Sequence, residues 1–141
     1  MELKHEYMLP FKDASFNVVI SSGVLEHVAN DFESLKEINR ILKEGGLFFC
    51  FHLPYKYSYT QNIQHLKGNW YHNKLYSKNE VKHLLEKSNY KLLDIWHRAL
   101  FPKISFVPPF YNGVEKTDNW PCNYTILKYF MTNIEFVASK N

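Results

Sequence analysis

Leu9-Pro10-Phe11-Lys12-Asp13-Ala14-Ser15-Phe16-Asn17-Val18-Val19-Ile20 is the stretch from which the fold can be read. Its last five residues, Phe16 to Ile20, are short, β-branched and apolar on both faces, the pattern of a strand buried inside a parallel sheet. A polar corner follows. Asn30 can then cap a helix, Glu33 stands three residues on, and Leu35, Ile38, Ile41 and Leu42 recur at helical spacing. Gly45-Gly46 is expected to stop that helix at the C′ position, after which Leu47 to Phe51 is a second continuous apolar strand.

Further along, Ser77-Lys78-Asn79-Glu80 has the form of a capping box, and Val81, Leu84 and Leu85 line one face of the helix behind it. Asn89 suits the end of that helix, Leu92 to Trp96 reads as a third strand, and Ile134 to Ala138 as a fourth. Alternation of apolar strands with amphipathic helices predicts an α/β architecture: a mostly parallel, Rossmann-like sheet with helices on its faces.

The whole chain sets bounds on this reading. At 141 residues there is enough length for one core and too little for two, so residues 1–141 are read as a single domain. Two cysteines, Cys50 in an apolar run and Cys122 after a proline, give neither a disulfide framework nor a zinc pattern, which fits a reducing cytoplasm. The polar N-terminus lacks an apolar signal core, and no run is long enough to span a membrane. A net charge of +3, with Lys and Arg interleaved among Asp and Glu, is too small and scattered to mark a nucleic-acid surface.

One feature of composition is left over. Aromatic residues make up 17% of the chain, and most of the surplus lies in two stretches that break the strand and helix alternation, 52–76 and 99–133. Insertions of this length are usually lids or binding loops, although covering a small sheet would be a plainer use for them.

Three motifs in order carry a resemblance. Leu9-Pro10-Phe11 through Ile20, then Leu25-Glu26-His27-Val28, then Ile41-Leu42-Lys43-Glu44-Gly45-Gly46 are similar to the class I S-adenosylmethionine-dependent methyltransferases of the methyltransferase-11 type, which read LPF-x-D-x-SFD-x-V, LEHV and an aliphatic-L-K-P-G-G turn. His52-Leu53-Pro54 and Tyr71-His72 through Ser77 resemble one branch of the same family. The resemblance covers about residues 5 to 98 and implies a partial Rossmann-like methyltransferase fold, its later strands and helices, with aromatic lid insertions.

It also implies a cofactor, S-adenosyl-L-methionine, and a small-molecule acceptor. Ligands of open α/β sheets sit beyond the carboxyl ends of the strands, which is where Ser21, Ser22 and His27 follow the first strand. Transfer of a methyl group from a sulfonium needs alignment, exclusion of water and in some cases removal of a proton. His27 is the candidate base, with a structural role in its turn as the alternative, and His52 at the end of the second strand ranks behind it. Ser21 and Ser22, with His5 and Glu6 where the family often has an acid near the adenine, are the candidate cofactor contacts; His52, Tyr55, Tyr71 and His72 are the candidate acceptor contacts. Some similar methyltransferases hold a divalent ion with E-x-x-E-H, but here the first position is Gly23, so no metal is expected.

Departures from the pattern matter. Asn17 and Glu44 are mild replacements, but no G-x-G-x-G turn occurs, and Phe16 to Ile20 corresponds to the fourth strand of the family. With the family order, the four strands would pair in the sequence first, second, fourth, third as a half-sheet, and the first, an apolar strand, would be left as an open edge, prone to association. The domain is therefore expected to be incomplete by itself, with the glycine-rich half coming from upstream sequence or from a second chain. The competing expectations are a non-catalytic partner that kept the fold, and a membrane or polyanion binder, for which Lys103, Lys116 and Lys128 are sparse.

Overall fold

The computed structural model describes residues 8–59, 63, 66, 74–98 and 132–141. Its elements run β1 (Phe16–Ser22), α1 (Asp31–Ile41), β2 (Leu42–Pro54), α2 (Lys78–Lys87), β3 (Tyr90–Arg98) and β4 (Asn133–Lys140). The four strands form one sheet in the order β1-β2-β4-β3. β1 and β2 are parallel, and β4 runs antiparallel to both β2 and β3. Three strands therefore point the same way, with one reversed strand between two of them. The carboxyl ends of β1, β2 and β3 and the start of β4 lie along one border of the sheet.

Helix α1 starts where the sequence placed it: the Asn30 side chain accepts from the Glu33 amide at 3.2 Å. Its end differs from the expectation. The chain leaves the helix at Leu42, whose backbone is extended and whose amide still donates to the Ile38 carbonyl, so Gly45-Gly46 is not the helix stop. The glycines serve the strand instead. Register with β1 jumps between Phe16↔Leu42 and Val18↔Leu47, and the extra β2 residues there include Gly45 at φ 68°. A Cβ on Gly46 would lie 2.8 Å from the Lys43 carbonyl oxygen and 3.2 Å from that of Asn17, so only glycine fits without moving backbone.

Helix α2 has both halves of its capping box. Ser77 Oγ accepts from the Glu80 amide at 3.3 Å, and the Glu80 carboxylate accepts from the Ser77 amide at 2.7 Å. Asn89 adopts φ 62° just past the end, the left-handed conformation that asparagine tolerates.

Both helices pack on one face of the sheet. Phe48, Cys50, Phe136 and Ala138 alternate onto that face and meet Leu35, Leu42, Val81, Leu85 and Tyr90 in a single core. Phe48 sits between the rings of Tyr90 and Phe136, at 5.8 and 5.7 Å. On the opposite face the row Ile20↔Phe49↔Val137 is less covered, with Ile20 64% and Val18 45% exposed. Among the described residues β1 pairs with β2 alone.

The Leu9-Pro10-Phe11 segment is held by a residue the sequence reading passed over. Arg40, in the last turn of α1, donates to the carbonyls of Leu9 and Phe11 at 3.2 and 2.9 Å, bonds Asp13, and forks onto Glu37 at 2.6 and 2.8 Å. Glu37 in turn accepts from the Leu9 amide. These bonds hold the Glu37 carboxyl below its usual range and push the Arg40 guanidinium further up. Among the described residues no helix is long and apolar enough to cross a membrane.

Candidate functional site

The carboxyl ends of β1 and β2 are tied together. Ser22 Oγ lies 3.0 Å from His52 Nδ1, and the Gly23 amide donates to the Phe51 carbonyl at 3.1 Å. His52 itself has φ 61°, at the point where the register of β2 with β4 shifts between Cys50 and Leu53. A non-glycine residue in this region is strained and is held there by its surroundings. Gly23 then turns the chain at φ 63°. Leu25 and Glu26 become buried, while the His27 amide closes a turn onto the Val24 carbonyl and its imidazole stays 56% exposed.

Glu26 and His27 form an unequal pair. The imidazole Nε2 is 3.8 Å from Glu26 Oε1, an ion-pair distance rather than a hydrogen bond, and the other carboxylate oxygen has no hydrogen-bond partner. The half-exposed imidazole is a group that a ligand in front of this turn can reach, with a buried carboxylate behind it. Two buried groups nearby, Cys50 and Tyr76, are held protonated. Burial, and after it the charges of Glu26 and Glu135, push the Cys50 thiol up to about 12, so it stays protonated. Burial and then Asp31 push the Tyr76 phenol up as well, and its hydroxyl donates to Asp31 Oδ2 at 2.9 Å.

The candidates named from sequence separate into groups. Ser22 and His52 meet at the joined ends of β1 and β2, with Ser21 one residue earlier in β1 and His27 in the turn that follows. Tyr55 lies just beyond, buried, with its ring edge-on to His97 at 4.6 Å and its amide donating to the Thr132 carbonyl. Tyr76, one of the surplus aromatics read as lid, is instead a core residue bridged to Tyr55. His5, Glu6, Tyr71 and His72, and most of both aromatic insertions, lie outside the described residues.

Two groups at the same border were missed: Glu135, fully buried near the start of β4, and Arg98 at the end of β3. The only signal for Glu135 was a charge inside an apolar strand, Ile134-Glu135-Phe136-Val137. A groove of about 430 Å³ opens on the helical side, lined by Asp31, Lys74, Tyr76, Glu80, His83 and Lys87, and none of the predicted site residues lines it. Among the described residues no cluster of three His, Cys, Asp or Glu side chains could hold a metal ion.

Comparisons with known proteins bear on the fold. Residues 2–50 match the family model described as methyltransferase domain. In overall structure the chain is similar to an S-adenosylmethionine-dependent methyltransferase of Thermotoga maritima, with a TM-score of 0.65 and 17% identity over 96% of this chain and 61% of that one. The fold is that of the class I methyltransferases. A second methyltransferase structure, from Methanosarcina mazei, gives a TM-score of 0.66 at 13% identity, covering 99% of this chain and 66% of the other. Among curated proteins, the demethylmenaquinone methyltransferase of Staphylococcus haemolyticus is 45% identical over 42 residues, 30% of this chain and 18% of that protein. The chain thus spans less than two thirds of each of these two structures, and less than a fifth of the curated relative.

Proposed function

We propose that this chain forms the acceptor side of an S-adenosylmethionine-dependent methyltransferase that acts on a small molecule. The observation that carries the reading is the joined end of β1 and β2, where Ser22 meets His52 and the Gly23 turn presents His27 in front of buried Glu26. When bound, S-adenosylmethionine would supply an activated methyl group. Ser21, Ser22 and the Gly23 turn fit one wall of a cofactor site, since a glycine at φ 63° lets a ligand come close to backbone. His27 takes the proton from the acceptor, with Glu26 stabilising the imidazolium that results. His52 and Tyr55 border the acceptor.

The other wall is not found in this sequence, whose five glycines include no G-x-G-x-G turn. Residues 1–141 are accordingly read as one incomplete domain. Its missing strand would pair along the edge of β1 that has no partner among the described residues, from the same polypeptide or a second one, and a layer packed with it would cover Val18 and Ile20. The same open edge favours one other reading, a methyltransferase-fold partner that binds no cofactor itself.

Calorimetric titration of the purified chain with S-adenosylmethionine, alone and after assembly with a glycine-rich half, separates the two. Heat on assembly, and loss of turnover by roughly 10²–10⁴-fold in His27→Gln, is the expected result. No binding in either state would leave the non-catalytic partner.

A further inference from the structure

Beyond His27, the border of the sheet carries a second charged arrangement at its far end. Glu135 is 0% exposed, and one of its oxygens, Oε2, takes both the Trp96 indole N–H at 3.0 Å and Arg98 Nη1 at 3.2 Å. Its other oxygen has no partner. Burying a carboxylate is costly, and a pair kept for stability would gain most from a bidentate fork. Here the guanidinium touches Glu135 through one nitrogen, and the side chain remains 47% exposed. A guanidinium has five N–H donors, so most of the fork is left facing outward.

The position is informative. Arg98 is the last residue of β3, which runs parallel to β1 and β2, so it stands at the ligand border of the sheet. β1 and β3 are separated by three strand spacings, roughly 14 Å. An acceptor whose reacting atom lies near His27 would have its far end close to Arg98. Other described cations near this border are already engaged, Lys56 by Glu80 at 2.8 Å and Lys74 by Asp31 at 3.5 Å. A planar fork matches the oxygens of a carboxylate or a phosphate, and one guanidinium balances the single charge of a carboxylate more completely than the double charge of a phosphate dianion.

We propose that Arg98, positioned by buried Glu135 and Trp96, is a specificity residue that binds a carboxylate on the acceptor. This rests on the methyltransferase reading for the word acceptor, but the binding site itself can be tested without turnover.

The test is titration of the ¹⁵N-labelled chain with benzoate, with neutral benzamide and with inorganic phosphate. It follows the indole N–H resonance of Trp96, assigned through Trp96→Phe. The native chain is expected to bind benzoate about ten-fold more tightly than benzamide, and phosphate more weakly than benzoate. Arg98→Leu should bring the ratio of benzoate to benzamide close to one. Arg98→Lys, which keeps the charge and removes the fork, should retain only a fraction of the preference and covers the case in which Arg98→Leu does not fold. Glu135→Gln should lower the same ratio, a readout that a merely structural role would leave unchanged.

Equal binding of benzoate and benzamide, tighter binding of phosphate, or an unchanged ratio in Arg98→Leu would each overturn the assignment. Titration of the same samples with S-adenosylmethionine reads the parent proposal separately, so either can fail alone.

Discussion

The two faces of this sheet are made from the same kinds of residue and behave differently. On one, Phe48, Cys50, Phe136 and Ala138 disappear beneath α1 and α2. On the other, Val18 and Ile20 remain exposed and Phe49 stacks on Phe51 at 6.2 Å, half-buried. Neighbouring residues such as Phe48 and Phe49 are chemically identical and differ only in which way the pleat turns them. Apolar character on both sides of a strand therefore reports that both sides are meant to be covered. Whether they are covered depends on what else is present.

The comparison can be broken most directly at Phe48. Phe48→Ala on the helical face should destabilise the chain by about 3–5 kcal/mol, read as a shift in the urea midpoint, because the cavity lies between two rings with no room to collapse. A loss below about 1 kcal/mol would mean that the helical layer is not the real core.

Next in size is Gly46→Ala at the register jump between β1 and β2. Its Cβ would press on the Lys43 carbonyl at 2.8 Å, and about 1–3 kcal/mol should be lost. A neutral result would show that the register jump is more pliable than its 2.8 Å approach implies.

A smaller effect concerns the cap of α2. The hydrogen bond from Lys56, and then that from Ser77, hold the Glu80 carboxyl down at about 2. A depressed folded-state pKa stabilises the protein above the unfolded value and ceases to do so as the pH falls through the folded one. The melting temperature of the native chain minus that of Glu80→Gln should therefore be positive at neutral pH and shrink between about pH 4.5 and 2. Because Glu80 and Lys56 are both about half exposed, added salt should shrink it too.

The smallest effect expected is on the open face. Ile20→Ser should change the stability of the chain alone by less than about 0.5 kcal/mol. If a further layer covers this face, the same substitution in the assembled protein should cost about 1.5–3 kcal/mol. A large loss in the isolated chain would show that Ile20 is already packed, and the contrast between the faces would fall.

Much of this could be read from residues alone. Helix starts were legible because capping is local: Asn30 with Glu33, and Ser77 with Glu80, act within one turn. Strand existence was legible from β-branched and aromatic runs. The stop at Gly45-Gly46 was misread because the same two glycines that end a helix also permit a bulge, and the choice was made by the register against Asn17 and Val18 on β1. Arg40 was passed over because its partners Leu9, Phe11 and Asp13 lie a helix away in sequence. Tyr76 looked like surplus and proved to be core, for want of any local sign that Asp31 and Leu25 would approach it. At the candidate site, Ser22, His27 and His52 could be named from motif positions, whereas Glu135 and Arg98 could not.

What the sequence determined by itself was the order and kind of its elements and the resemblance of its motifs, since caps, periodicity and turn glycines act over a few residues. The tertiary structure decided which face of each strand is covered and which side chains meet at the strand ends. These depend on pairing between residues far apart in the chain, such as Ser22 with His52 and Arg98 with Glu135, and no local rule encodes such distances.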